Sequence, residues 1–407
     1  MKSSYFRFLA KHWDGLLFGA LLMLLSSFGQ TFYVSLFGVD FRAAFGLSDG
    51  GLGTAYAVGT FGSAMTLPWV GRLIDITTVR RYTCCVAALL AAACLLTAAA
   101  PSVVVLAIAF YFLRLGGQGL MVHTGLTATA RAFPADSGKA LGVVALGFSV
   151  AQAVLPLAAV AAMGAIGWRL SWVAGAAIVV AGTALALAFL PHQPDEHADI
   201  RNRRKLLAAT ARQPLWRDPR LLFTLPAILA SPFISTGFFF HQARLAQEKG
   251  WTLGWVAGWF VAYAICQAFA VLAIGPLIDR MGPRRLMPLF LAPLGLGMLA
   301  LAVSDSIWVA PIYLILIGLT SAVASTLATA LWVELYGPSM LARVRSLVEA
   351  ALVVASGASP VIMGLLIDRG VPLRAQAAAC LVYTLVASGL ATRIPGRPPG
   401  PVDNAGQ

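Results

Sequence analysis

Acidic side chains are scarce in this chain of 407 residues: Asp and Glu together number 16 against 29 Lys and Arg, and all four types make up only 11% of the sequence. A soluble domain carries about a quarter charged residues, so a surface wholly exposed to water is excluded. Cysteine is rarer still. Cys84, Cys85, Cys94, Cys266 and Cys380 all fall inside apolar runs, with no C-x-x-C pair and no histidine clustered with them, which excludes a disulfide framework and a metal site. The loop G-x-x-x-x-G-K-[ST] that cradles nucleotide phosphates does not occur, which removes ATP as a direct energy source. No nucleophile, metal cluster or carboxylate pair stands out, so the chain does not read as an enzyme and no cofactor is implied.

What the chain has in abundance is apolar sequence, 59% of its residues. A helix needs about 20 such residues to cross the hydrocarbon core of a bilayer, and the runs along this chain predict an all-α membrane protein with twelve transmembrane helices. The first run, about residues 15 to 38, is too long for a signal-peptide core and is read as a retained span. A net charge of +13 would suggest nucleic acid for a soluble protein; here its distribution suggests membrane sidedness instead. One side keeps Arg42, Arg169, Arg244, Lys249, Arg369 and Arg374, Arg114 lies within a span, and every other basic residue falls on the opposite side together with both termini. The expected setting is therefore multi-pass in a membrane with cytoplasmic termini, the bilayer as partner and no nucleic acid.

One short polar sequence occurs twice. Gly71-Arg72-Leu73-Ile74-Asp75-Ile76-Thr77-Thr78-Val79-Arg80-Arg81 is echoed about half a chain later by Gly275-Pro276-Leu277-Ile278-Asp279-Arg280-Met281-Gly282-Pro283-Arg284-Arg285, with the first glycine, the Leu-Ile-Asp and the closing arginine pair at the same offsets. Both copies end an apolar run and carry paired arginines, so both belong on the same side of the bilayer with an even number of spans between them. The pattern G-x-x-x-D-R-x-G-x-R-R resembles the signature loop of the major facilitator superfamily. The second copy matches at every position; the first has Ile76 in place of a basic residue and Thr78 in place of glycine. The resemblance implies two pseudo-symmetric six-helix bundles, at 1–190 and 221–394, joined by a basic linker at 191–220 and followed by a tail at 395–407 rich in proline and glycine, expected to be disordered. The linker reads as a solvated connector or, alternatively, as a segment that binds lipid headgroups.

The same resemblance implies secondary transport of a small-molecule substrate by alternating access, with a substrate site between the bundles. It implies a monomer, and conformational latches at Gly71, Asp75, Arg80 and Arg81 in the first loop and at Gly275, Asp279, Arg280, Gly282, Arg284 and Arg285 in the second. Each aspartate would sit at the N-terminus of a helix in the other half, Asp75 near Ser346 and Asp279 near Gly138, where a negative charge meets the helix dipole and its free amides. The alternative is that the loops are only tight turns anchored by their arginines.

In that family spans 1, 4, 7 and 10 line the cavity, which singles out Gln30 and Tyr33 at i, i+3, Arg114 and Gln118 at i, i+4, Ser321, Ser325 and Thr329 as one stripe, and His241 with Gln242. Each has a plainer reading. Serine and threonine hold neighbouring helices together, the glutamines bond between helices, and the place of His241 near the outer end of span 7 favours an interfacial or structural role. Arg114, costly within a span, is either the anchor of an anionic substrate, with Gln118 orienting it, or a structural arginine bonded to backbone carbonyls or to Glu349. Glu349 stands as the candidate buried carboxylate and, with His241, as a possible proton carrier. Phe112-Leu113-Arg114-Leu115-Gly116-Gly117-Gln118-Gly119 and Phe240-His241-Gln242 resemble bacterial monocarboxylate and other organic-anion permeases. The alternatives are an efflux permease for drugs or neutral metabolites, or a non-transporting receptor; the gap from Leu190 to Arg220 is too short for the output domain a receptor would add.

Overall fold

The computed structural model describes residues 2–133, 136–191, 218–336 and 341–395, and among them it contains helices and turns but no strand. Residues 192–217 of the basic linker and the tail beyond Pro395 lie outside these residues. The helices are α1 (Lys2–Leu25), α2 (Asp49–Gly71), α3 (Val79–Ala99), α4 (Val103–Ala132), α5 and α6 (139–166 and 168–188), α7 (Pro219–Phe240), α8 (Phe260–Met281), α9 (Ala292–Val303), α10 (Val309–Tyr336), α11 (Leu341–Asp368) and α12 (Leu373–Ala391). The order of helices follows the apolar runs of the sequence. Nine helices among the described residues are long and apolar enough to cross a membrane, with Lys139–Ala188, broken at Gly167, counted as one. Below, the face carrying the two arginine-rich loops is called inner.

Local chemistry accounts for where the helices begin. Oxygens of Ser48, Thr78, Ser102 and Thr252 each accept a bond from the amide three residues on, at 3.0, 3.3, 3.5 and 3.1 Å, which satisfies donors the first turn leaves free. The two loops differ as their sequences do. In the second, Gly282 at φ 77 makes the left-handed turn that α8 needs before Pro283 opens a short helix. In the first, Thr78 stands in the glycine's place at φ −71 and becomes the cap of α3.

α1 and α4 depart from regular helix where they meet. A Cβ on Gly29 would overlap the Leu113 carbonyl, and one on Gly117 would strike Gly29; small residues let the two backbones touch, as is common between membrane helices. α1 narrows into a 3₁₀ turn at Ser26–Gly29 and breaks at Gln30, which is extended at φ −87, ψ 150. α4 widens into a π-helical turn over Arg114–Met121, a distortion that often marks functional sites. Between the halves α2 runs along α11, and the Lys139–Ala188 helix along α8, with Gln152 buried on the first of them and Tyr263 on the second.

Candidate functional site

Arg114 is 3% exposed, set by the π-helical turn against the break in α1. Its Nη1 donates to the Gly29 carbonyl at 3.1 Å and to Thr31 Oγ1 at 3.3 Å, and its guanidinium lies 5.3 Å from the centre of the Tyr56 ring. The Tyr56 hydroxyl in turn bonds Thr31 at 2.7 Å. Arg114 Nε is buried and has no partner, and none of the ion pairs among the described residues includes Arg114. The structural reading of this arginine therefore covers one of its nitrogens and leaves an edge of the fork unused.

That arginine opens onto a cavity of about 110 Å³ formed by Thr60 and Ser63 of α2, Arg114 and Gln118 of α4, and Val353 and Ser356 of α11, so it spans both halves. A second cavity of about 250 Å³ lies between α7, α10 and α11. Its polar wall is Ser231, Ser235, Ser321, Ser325, Thr329 and Glu349, and Trp332 packs beside them. Glu349, Val353 and Ser356 follow at i, i+4 and i+7, so one face of α11 passes both cavities.

Several expected residues lie elsewhere. Gln30 and Tyr33 were expected to share a face, but the extended backbone at Gln30 ends that periodicity. Tyr33, 4% exposed, turns into an aromatic cluster with Phe28, Phe37 and Trp172, its ring centroid 5.0, 5.5 and 5.5 Å from theirs, and Gln30 lines neither cavity. Glu349 is exposed to the second cavity rather than buried.

In the first loop Asp75 accepts a 2.5 Å bond from Arg131 at the end of α4, and Arg131 also donates to the Ile74 carbonyl at 3.2 Å. Gly71 is buried while Arg80 and Arg81 are exposed; in the second loop Asp279, Arg280, Arg284 and Arg285 are exposed and Gly275 and Gly282 half-buried. The side-chain surroundings of Ser346 and Gly138, the expected partners of Asp75 and Asp279, lie outside the described residues.

His241 and Gln242 sit at an outer seam that closes the molecule above both cavities. His241, 3% exposed, bonds the Pro360 carbonyl through Nε2 at 3.0 Å and lies 3.7 Å from Asp49. Gln242 donates to the Phe32 carbonyl at 3.0 Å and to Ser35 at 2.9 Å. Arg42 pairs with Asp49. The Asp368 carboxylate, at the end of α11, accepts from Ser48 Oγ at 2.7 Å, Asp49 N at 3.1 Å and Gly50 N at 2.9 Å, at the start of α2. Sequence reading missed Asp368 and Asp49 as site residues, since both read as ordinary loop acids; the one available signal was the helix-opening run Ser48-Asp49-Gly50.

The Major Facilitator Superfamily model matches residues 19–261 and 245–407. Comparison with curated proteins finds no match in sequence. Among solved structures, a bacterial homologue of the human lysosomal transporter Spinster, inward-facing and occupied, is similar at a TM-score of 0.69 and 15% identity, covering 93% of this chain and 96% of that one. The nucleoside transporter NupG is similar at 0.68 and 12%, covering 93% and 97%. The xylose transporter XylE from E. coli, inward open, is similar at 0.72 and 12%, covering 95% and 96%.

Proposed function

This chain belongs to the major facilitator superfamily, and from that premise we propose that it carries a small organic anion, such as a monocarboxylate, across the membrane by alternating access of two six-helix bundles with twelve crossings in all. The observation that carries the reading is Arg114: a buried guanidinium at a cavity between the halves, with Nε unpartnered and no carboxylate paired to it among the described residues. An arginine in mid-span costs about 2.5 to 3.5 kcal/mol on insertion scales, and a ligand carboxylate on the free edge of the fork would offset that cost with short, charge-assisted bonds. Gln118, on the same cavity wall, orients the bound group. Ser325, in the stripe with Ser321 and Thr329, offers hydroxyls to the rest of the solute from the other half, and Glu349 at that second cavity is the group that takes up and releases a coupled proton. The closed outer seam leaves both cavities to be reached from the inner side.

A second reading rests on that stripe. A cavity walled by five hydroxyl side chains suits a neutral polyhydroxylated solute, and two structurally similar proteins are transporters of a sugar and of nucleosides. Thermal unfolding of the purified protein with monocarboxylates, amines and sugars separates the two, because a ligand at a hundredfold excess over its Kd stabilises the folded state by about 2.7 kcal/mol. Stabilisation by carboxylates that disappears in Arg114→Ala is expected. Stabilisation by sugars alone, retained in that variant, would assign the site to neutral solutes.

A further inference from the structure

The outer seam holds a second device, apart from the two arginine-rich loops. Asp368 belongs to α11, yet all three of its bonds go to the start of α2: to the Ser48 hydroxyl and to the amides of Asp49 and Gly50. A carboxylate there satisfies donors that the first turn of α2 leaves free and meets the positive end of that helix's dipole. These bonds exist only while the outer ends of the halves touch. On its own half, Asp368 has a second candidate partner. Arg244, on the short helix Gln242–Lys249 that follows α7, has a buried Nε with no hydrogen-bond partner. Arg244 follows three residues after His241, which lies 3.7 Å from Asp49, and Asp49 both pairs with Arg42 and donates its amide to Asp368; the charges of Arg244 and Asp368 are both felt at Arg42 and His241. Arg42 is already engaged by Asp49. Arg244 is the cation of this cluster whose fork has an unused edge.

We infer that Asp368 is a two-position outer latch: across the seam on the start of α2 when the outer side is closed, and within its own half on Arg244 when the outer side is open. The inference rests on alternating access but not on the identity of the solute. Closure then depends on which partner holds the carboxylate better. Arg244, unsatisfied in the closed state, lowers the cost of opening by accepting the group that opening releases. In this picture Asp368 is a positioning residue that touches no substrate, and its two partners pull the equilibrium in opposite directions.

The test uses the full-length protein in lipid nanodiscs with its native cysteines replaced and spin labels at Ala44 and Arg369, exposed positions on the two sides of the seam. Distance distributions are recorded without any solute, so failure of the anion assignment leaves the outcome readable. Asp368→Ala is expected to shift the population about tenfold toward the longer, outer-open distance, and Asp368→Asn less far, since its amide keeps one acceptor oxygen. Arg244→Ala is expected to shift it the other way, toward closure. Added to Asp368→Ala it should do nothing further, the coupling that a double-mutant cycle isolates. An unchanged distribution in Asp368→Ala overturns the latch. An Arg244→Ala effect of equal size with and without Asp368 overturns the receiver, because a merely structural arginine would act independently of the carboxylate.

Discussion

Arg114 combines an observed role with a proposed one. Its Nη1 braces the break in α1 through Gly29 and Thr31, while its Nε has no partner among the described residues and is the edge we propose for the solute. Lysine keeps the charge and can still reach one acceptor, but it has no fork with which to grip a carboxylate and brace α1 together. Uptake into proteoliposomes should therefore fall in the order wild type, Arg114→Lys, Arg114→Ala, with the second step the larger. Both variants should elute as folded monodisperse protein, and an alanine variant that transports at the wild-type rate would end the anion reading. The importance of this residue was legible in the sequence, because an arginine well inside an apolar run has no cheap place to go. Its partners were not legible. They depend on the glycine contact that lets α1 and α4 approach, and on the break at Gln30, which turned Tyr33 away from the cavity; a face drawn at i, i+3 presumes a helix that continues.

At the scale of the element, a buried lysine is among the ties at the outer end of the second half. Lys249 closes the short helix after α7, is 7% exposed, and donates to the carbonyls of Leu301 and Ser304 at 2.8 and 2.9 Å and to the Asp305 carboxylate at 2.5 Å. It thereby clasps that helix to the turn between α9 and α10. The bond from Lys249, with its charge and that of Arg374 nearby, holds the Asp305 carboxyl below the usual carboxylate range. A group whose folded pKa is depressed contributes stability that is complete above its unfolded value, about 3.9 for aspartate, and that is lost as pH falls through the lower folded value. The clasp should be at full strength at neutral pH. Asp305→Asn should lower the melting temperature at pH 7, and the gap from wild type should narrow below about pH 4; a gap that stays constant into acid would mean that the carboxylate's charge contributes nothing. This tie could not be read from the sequence, where Lys249 and Asp305 are two loop charges far apart in the chain. The serine cap of α2 could, since serine before an acidic first turn is a local signal that needs no tertiary partner.

For the whole molecule, the duplication was the most legible fact: two eleven-residue loops in register announced two bundles, and the helices stand where that symmetry puts them. The symmetry is imperfect, and the differences fall where the sequences diverge. The first loop has Ile76 and Thr78 where the second has Arg280 and Gly282, and one bond of its aspartate goes to Arg131, while Asp279 is exposed and remains our candidate for a latch between halves on the inner face. A charge at a helix N-terminus contributes up to about 2 kcal/mol in favourable sites, enough to shift a two-state population more than tenfold. Asp279→Asn should raise the inward-open fraction, seen as faster labelling of a cavity cysteine from the inner side, and Asp75→Asn should change it less. Unchanged labelling together with lost substrate binding would count against the latch.

The seam between α2 and α11 is built from backbone. A Cβ on Gly53 would strike the Pro360 carbonyl, one on Gly364 the Asp49 carbonyl, and one on Gly50 the Asp368 carboxylate. Surfaces that interlock through large side chains must rearrange those side chains to separate, because packed interiors are as dense as crystals. Two smooth surfaces have nothing to disengage. They can part as rigid plates whose separation breaks a few polar bonds and wets a strip of main chain already able to bond water. Such a joint trades strength of closure for speed of opening, and it is well suited to a molecule that has to open and close once for every solute it carries.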